Sequence, residues 1–144
     1  GTEILFYNKV KDDHGYIRED FPGGWKGDEV NGFTGEGLTA DQREAQTFTR
    51  NLLNWRKSAS VVHTGKMMHF GPRDGVYVYF RYNDDQKVMV ILNKNKEAYD
   101  LKVDRFEEIM QGATSGKEML SGKNLTWTES ISLTPETPMI IELK

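Results

Sequence analysis

The residues able to do chemistry in this chain are few in type and poorly clustered. His14, His63 and His69 are its only imidazoles. No two stand at the spacing with which one helix or turn presents a pair to a metal ion, so no metal site is expected. The chain has no cysteine, which excludes thiolate ligation and disulfides. Gly23-Gly24 and the later glycines stand in open loop rather than between a strand and a helix, so no phosphate-cradling loop and no cofactor are expected. Carboxylates are too numerous for a hydrolytic pair to be picked out, because that chemistry is set by separation in space. Aromatic rings remain, since a ring face can cover the C–H face of a pyranose. Tyr16 and Trp25, set among glycines, are the candidates for stacking on a sugar. Packing of their loop on its own domain is the plainer reading. Trp55 and Trp127 fall on a helix stripe and a strand and read as core, while His63 and His69 read as partly buried, hydrogen-bonded side chains.

The charge balance narrows the partners. The chain carries 19 Lys+Arg against 22 Asp+Glu, a net charge of −3 over 144 residues. Nothing in that provides the basic field that nucleic acid requires. No apolar run approaches membrane-spanning length, and the N-terminus lacks the order of a signal peptide. Neither nucleic acid nor membrane is an expected partner, and the compartment, periplasmic, extracellular or cytoplasmic, is left open. The first residues, Thr2-Glu3-Ile4-Leu5-Phe6-Tyr7, read as part of a strand, as if the chain were a piece of a longer protein.

The elements that must position these residues centre on 75–93. Two runs dense in β-branched and aromatic residues flank the polar turn Asn83-Asp84-Asp85-Gln86, the composition of a β-hairpin. Alternation puts Val76, Val78, Phe80 and Tyr82 on one face and Tyr77, Tyr79 and Arg81 on the other. Both faces are largely apolar, which predicts a hairpin in mid-sheet, covered on each side. Further strands are expected over 66–70, ended by Gly71-Pro72, and over 98–103, 118–120, 125–127, 130–133 and 139–143, with a helical turn over 104–110. About eight strands at this spacing predict an antiparallel Greek-key β-sandwich.

Ahead of it, residues 8–38 show no sustained period and hold seven of the chain's fourteen glycines. This is a long loop, either a linker or a functional segment, and Phe21, Trp25 and Phe33 argue against plain disorder. A helix follows, with Thr39 as N-cap and Gln42 closing a capping box. Ala45, Phe48, Leu52 and Trp55 form an apolar stripe that should bury against something, and Arg56 and Lys57 sit where positive charge suits the helix dipole.

In order, Gly1-Thr2-Glu3-Ile4, Asp13-His14-Gly15-Tyr16-Ile17-Arg18-Glu19-Asp20-Phe21-Pro22-Gly23-Gly24-Trp25 and Leu52-Leu53-Asn54-Trp55-Arg56-Lys57 resemble the tail of an alpha-amylase family glycoside hydrolase of the neopullulanase and cyclomaltodextrinase branch. The resemblance covers the whole chain. It implies that residues 1–58 are the end of the eighth strand, the eighth βα-loop and the eighth helix of a (β/α)8 barrel, whose active site lies on the loop face. It implies that residues 59–144 are the family's C-terminal β-sandwich domain.

The same resemblance implies that Asp13 and Arg18 contact the sugar next to the scissile bond, although they are five positions apart where the branch spaces the pair by four. The family's retaining mechanism uses a carboxylate nucleophile, an acid/base and a further Asp. These would lie upstream of Gly1, leaving no catalytic residue in this chain. The implied parent hydrolyses α-1,4-glucosidic bonds in maltooligosaccharides, pullulan or cyclodextrins. The partners of the chain would be that glucan and the missing barrel, with the chain itself a non-catalytic structural domain. An independent carbohydrate-binding module is the alternative and would need Tyr77 and Tyr79 exposed and coplanar. A β-sandwich that binds other proteins without sugar chemistry is a further one.

Overall fold

The computed structural model describes residues 1–7, 15 and 18–144. They form two compact units, Gly1–Leu53 and Asn54–Lys144.

In the first unit the expected N-terminal strand is replaced by a 3-10 turn, Thr2–Ile4. The N–H groups of Ile4 and Phe6 both donate to the Gly1 carbonyl, at 3.2 and 2.9 Å, and that of Leu5 to Thr2, at 3.1 Å. A strand needs a neighbour to satisfy its backbone groups, and no described strand pairs with this segment. The turn satisfies those groups locally. Helix α1, Ala40–Ser58, starts where the capping box placed it. The Thr39 N–H donates to Gln42 Oε1 at 2.9 Å, and the Gln42 N–H donates to Thr39 Oγ1 at 3.3 Å. Its stripe departs from expectation, because no residue of α1 is buried. Ala45, Leu52 and Trp55 are half-buried and Phe48 is exposed. Trp55 is therefore not a core residue, and the helix rests on its cap and its propensity more than on burial.

The second unit is the sandwich. Its strands are β1 Lys66–Arg73, β2 Val76–Tyr82, β3 Lys87–Asn93, β4 Tyr99–Lys102, β5 Ser115–Glu118, β6 Asn124–Thr126, β7 Ser130–Leu133 and β8 Met139–Leu143. Six form one sheet in the order β1-β2-β3-β8-β5-β6, and β4 pairs with β7 in a second. All pairings are antiparallel. The chain crosses between the sheets after β3, β4, β6 and β7, so that β8 closes the gap between β3 and β5. A short helical segment, Asp104–Phe106 continuing as α3 Glu107–Met110, lies between β4 and β5.

The central hairpin sits in mid-sheet, as its two apolar faces require. Val76, Val78, Phe80, Met89, Ile91 and Ile141 of the large sheet share one core with Leu101, Ile131 and Leu133 of the small one. Phe70, Phe80 and Phe106 stack within it, Phe70 and Phe106 edge to face at 4.9 Å. Trp127 is buried there and its indole N–H donates to the Ala113 carbonyl at 3.0 Å. Val88, Val90 and Ile140, of the alternate register, are also buried. A short helix α2, Ser60–Thr64, precedes β1 in a segment to which no element was assigned from sequence. Arg81 holds it against β2, donating to the Val62 carbonyl at 3.0 Å.

Two other expectations need correction. Gly71-Pro72 does not end β1, which runs on to Arg73 through an irregular register. Proline is tolerated there because β1 is an edge strand. His63 and His69 are both exposed. His63 Nε2 lies 2.7 Å from the Arg56 carbonyl and His69 meets Tyr77 edge-on, so neither lies inside a core. Turn chemistry accounts for the β1–β2 junction, where Asp74 and Gly75 both have positive φ, 50° and 77°, as a two-residue hairpin turn demands.

Glu118 is the buried carboxylate of the sandwich, 6 % exposed. It accepts N–H groups from Leu120 and Ser121, at 3.0 and 2.6 Å, and from Ile140 of β8 at 3.4 Å. Burial pushes its pKa up, but the Ser121 hydroxyl and these N–H groups outweigh burial and hold it below the ordinary glutamate range. A carboxylate lowered on folding stabilises above its unfolded pKa and loses that contribution as pH falls through the folded one. Denaturant melts at falling pH should therefore show an acid-dependent loss of stability that Glu118→Gln removes. At neutral pH that variant should lose about 1–3 kcal/mol. Phe80→Ala should cost about 3–5 kcal/mol by urea unfolding, as the deletion of a fully buried ring.

Candidate functional site

The long loop is folded on itself over 18–38, in the first unit. The ring centroids of Phe21 and Phe33 lie 5.1 Å apart. Between them the Gly32 N–H donates to the Pro22 carbonyl at 2.9 Å, and the Asn31 N–H donates to Glu36 at 2.8 Å. Asn31 Oδ1 in turn accepts from Phe33 and Thr34, each at 3.0 Å. Gly37, at φ +75°, is required here because a Cβ would collide with the Glu29 carbonyl oxygen. The first half of α1 fixes this loop from outside. Gln46 Nε2 donates to the Gly32 carbonyl at 2.6 Å and Arg43 Nε to that of Leu38 at 3.1 Å.

Asp28 organises the turn that carries Trp25. Its Oδ2 accepts the N–H groups of Gly23, Gly24 and Trp25, at 2.6, 3.2 and 3.2 Å. Those donors, Gly23 first, hold the carboxyl below the ordinary aspartate range. The Trp25 ring is left 66 % exposed on this tied turn. Beside it opens a cavity of about 270 Å3, lined by Gly23, Gly24, Trp25, Glu29, Asn31 and Glu36 among others. Two exposed carboxylates and an amide around one small, predominantly polar hollow can take up a small ligand rich in hydrogen-bonding groups.

Of the four residues expected to meet a sugar, Trp25 lines this cavity and Arg18 does not. Arg18 is exposed, and its backbone N–H donates to Gly15 at 3.1 Å. Asp13 and Tyr16, like His14, lie outside the described residues. Sequence reasoning missed Asp28, Glu29, Asn31 and Glu36. The available signal was an Asp and an Asn in glycine-rich sequence, the side chains that accept backbone N–H groups in turns. Among the described residues no three His, Cys, Asp or Glu side chains form a group able to hold a metal.

On the sandwich, Tyr77 and Tyr79 are half-buried, with ring centroids 5.9 Å apart and planes at 37°. They are not the exposed, coplanar pair that a sugar-binding face would present. Tyr77 does line a cavity of about 580 Å3 with Leu92, Arg73 and Lys94, beside the Asp74–Gly75 turn.

Residues 67–142 match the protein family described as the cyclo-malto-dextrinase C-terminal domain. Among solved structures, the chain is similar to an alpha-amylase of Anoxybacillus, with 19% identity over 74% of this chain and a TM-score of 0.60. It is similar to an AmyP variant in complex with maltotriose, with 18% identity over 83% of the chain and a TM-score of 0.63. It is also similar to the trehalulose synthase MutB of Pseudomonas mesoacidophila, with 19% identity over 83% and a TM-score of 0.58. At these identities the likeness is one of fold. The chain covers 26%, 23% and 24% of these three proteins, about a quarter of each.

The tie at Asp28 predicts a pH response. Its carboxyl is lowered by the turn, so the turn is held above the ordinary aspartate pKa and released as pH falls through the lowered one. The amide resonances of Gly23, Gly24 and Trp25 should titrate together, with a common midpoint below that of a free aspartate, and Asp28→Asn should abolish the inflection. Three amides with separate midpoints, or none, would contradict the tie.

Proposed function

We propose, for a chain that belongs to the cyclo-malto-dextrinase C-terminal domain family, that the protein it contributes to hydrolyses α-1,4-glucosidic bonds in maltooligosaccharides, cyclodextrins or pullulan. The family match over residues 67–142 carries this reading. The alpha-amylase fold of the similar structures supports it, as do the maltotriose and maltose complexes of AmyP. In this reading residues 59–144 are the C-terminal β-sandwich and residues 1–58 the last strand end, loop and helix of the catalytic barrel.

The mechanism proposed is the retaining one, in which a carboxylate attacks the anomeric carbon and a second carboxyl group protonates the leaving oxygen. Water then hydrolyses the glycosyl-enzyme with the second group as base. Both carboxylates are assigned to parts of the enzyme other than residues 1–144, consistent with similar structures of which this chain covers only about a quarter. The share of this chain is binding and support. Asp13 and Arg18 hold the sugar beside the scissile bond, Tyr16 and Trp25 stack on sugar rings, and the sandwich buttresses the barrel through an apolar core of its own. No metal or cofactor enters the scheme.

A second reading, an independent carbohydrate-binding module, is favoured by one observation, the placement of Tyr77 in the cavity of about 580 Å3. Two assays test the pair. The whole protein should release reducing sugar from maltoheptaose or β-cyclodextrin with net retention of anomeric configuration, and the 144-residue chain alone should release none. Inversion, or turnover by the chain alone, would overturn the mechanism or the assignment of roles. Isothermal titration of the chain with β-cyclodextrin should give no heat that Tyr77→Ala abolishes, and such heat would favour the module.

A further inference from the structure

Asn31-Gly32 is the one place in the chain where glycine follows asparagine, the pair in which an asparagine most readily loses its side-chain amide. We propose that Asn31 is a deamidation site masked by the fold. The loop over 18–38 holds the pair in an arrangement that cannot cyclise, and opening of the loop commits it to a one-way change of charge and backbone. The reaction has two requirements. The Gly32 nitrogen must give its proton to hydroxide, and it must then reach Asn31 Cγ. It bonds to that carbon, the Cγ–Nδ2 bond breaks, and ammonia leaves with a proton taken from water, which restores the hydroxide. Water then opens the five-membered imide at either carbonyl, leaving an aspartyl or an isoaspartyl residue at position 31. Glycine favours closure because it has no Cβ in the way and the widest choice of backbone angles.

Both requirements are blocked in the folded loop. The Gly32 N–H donates to the Pro22 carbonyl at 2.9 Å, which keeps the proton on nitrogen, and Gly32 is buried, which keeps hydroxide away. Asn31 Oδ1 accepts from Phe33 and Thr34, each at 3.0 Å, so the side chain is held against rotation. The Asn31 N–H donates to the Glu36 carbonyl and the Asn31 carbonyl accepts from the Gly35 N–H, each at 2.8 Å. The Gly32 carbonyl accepts from Gln46 Nε2 at 2.6 Å. All four main-chain polar groups of the pair are engaged. Turning the backbone to bring the nitrogen onto Cγ therefore breaks several bonds at once.

The fold demands the labile pair residue by residue. A Cβ at position 32 would collide with the Phe21 ring, so only glycine fits there. Asn31 supplies the oxygen that closes the turn into Thr34. The product undoes what the pair builds. An isoaspartyl residue carries its Cβ into the main chain and lengthens it by one carbon, between an N–H tied to Glu36 and an N–H tied to Pro22. Either product sets a new carboxylate in the hollow that Glu29 and Glu36 already line, where like charges repel.

Ageing of the 144-residue chain tests this. It is incubated at mildly alkaline pH, folded in one series and unfolded in guanidinium chloride in the other. Mass spectrometry of the tryptic peptide 27–43, which runs from the residue after Lys26 to Arg43, follows conversion of the amide to the acid and the share of isoaspartate. In the unfolded chain Asn31 should convert faster than every other asparagine. In the folded chain it should convert at least about tenfold more slowly, because the reaction must wait for local opening. Gln46→Ala frees the Gly32 carbonyl and should speed conversion in the folded chain while leaving the unfolded rate unchanged. Equal rates folded and unfolded would overturn the masking, and a faster asparagine elsewhere in the unfolded chain would overturn the choice of site. A folded Gln46→Ala chain that converts no faster than the unaltered one would overturn the part given to the loop's ties.

Discussion

The constraint on which the sandwich depends is the burial of the β2–β3 hairpin from both sides. Val88, Met89, Val90 and Ile91 are consecutive and all buried, an arrangement open only to a strand with packing above and below it. One set of alternate positions faces Leu101, Ile131 and Leu133 of the second sheet. The register of the hairpin then sets that of β8, whose Ile140 and Ile141 pair with Val90 and Met89. From β8 the order passes to β5 and β6. A slip of one residue at Phe80 would turn each of these faces inside out.

What was legible in the sequence follows from this. β2, β3, β7 and β8 fall where composition placed them, because Val, Ile, Tyr and Phe in alternation carry their own signal. The capping box of α1 was equally plain, as a local pair of side chains closing two backbone bonds. β5 was read three residues late. Ser115-Gly116-Lys117-Glu118 has little strand propensity, and its pairing is imposed by β8 and β6. Met119 and Leu120, which look more strand-like, follow the strand, and the Leu120 N–H is taken by the Glu118 carboxylate. Val61 and Val62, to which no element was assigned, form a helical turn despite their β-branched preference.

The candidate site was less legible for a different reason. Trp25 could be singled out by type, but its presentation depends on Asp28, and the cavity beside it on a chain that doubles back from Trp25 to Glu36. Backbone bonds between Gly32 and Pro22 and between Asn31 and Glu36 make that return. Such pairings have no period and no propensity signature. They are carried by single Asp, Asn and Gly residues, each ordinary alone.

One feature of β1 bears on how the sandwich behaves in company. Among the described residues no further strand pairs with its outer side, and the amides and carbonyls of such an edge are a template for a strand of another molecule. Pro72 offers no amide to such a visitor, and the irregular register between Phe70 and Arg73 breaks the straight row of acceptors. Lys66 and Arg73 place charge at the two ends. The residue pair that looked like a strand terminator thus acts as a guard, letting the strand continue for its own sheet while denying the edge to others.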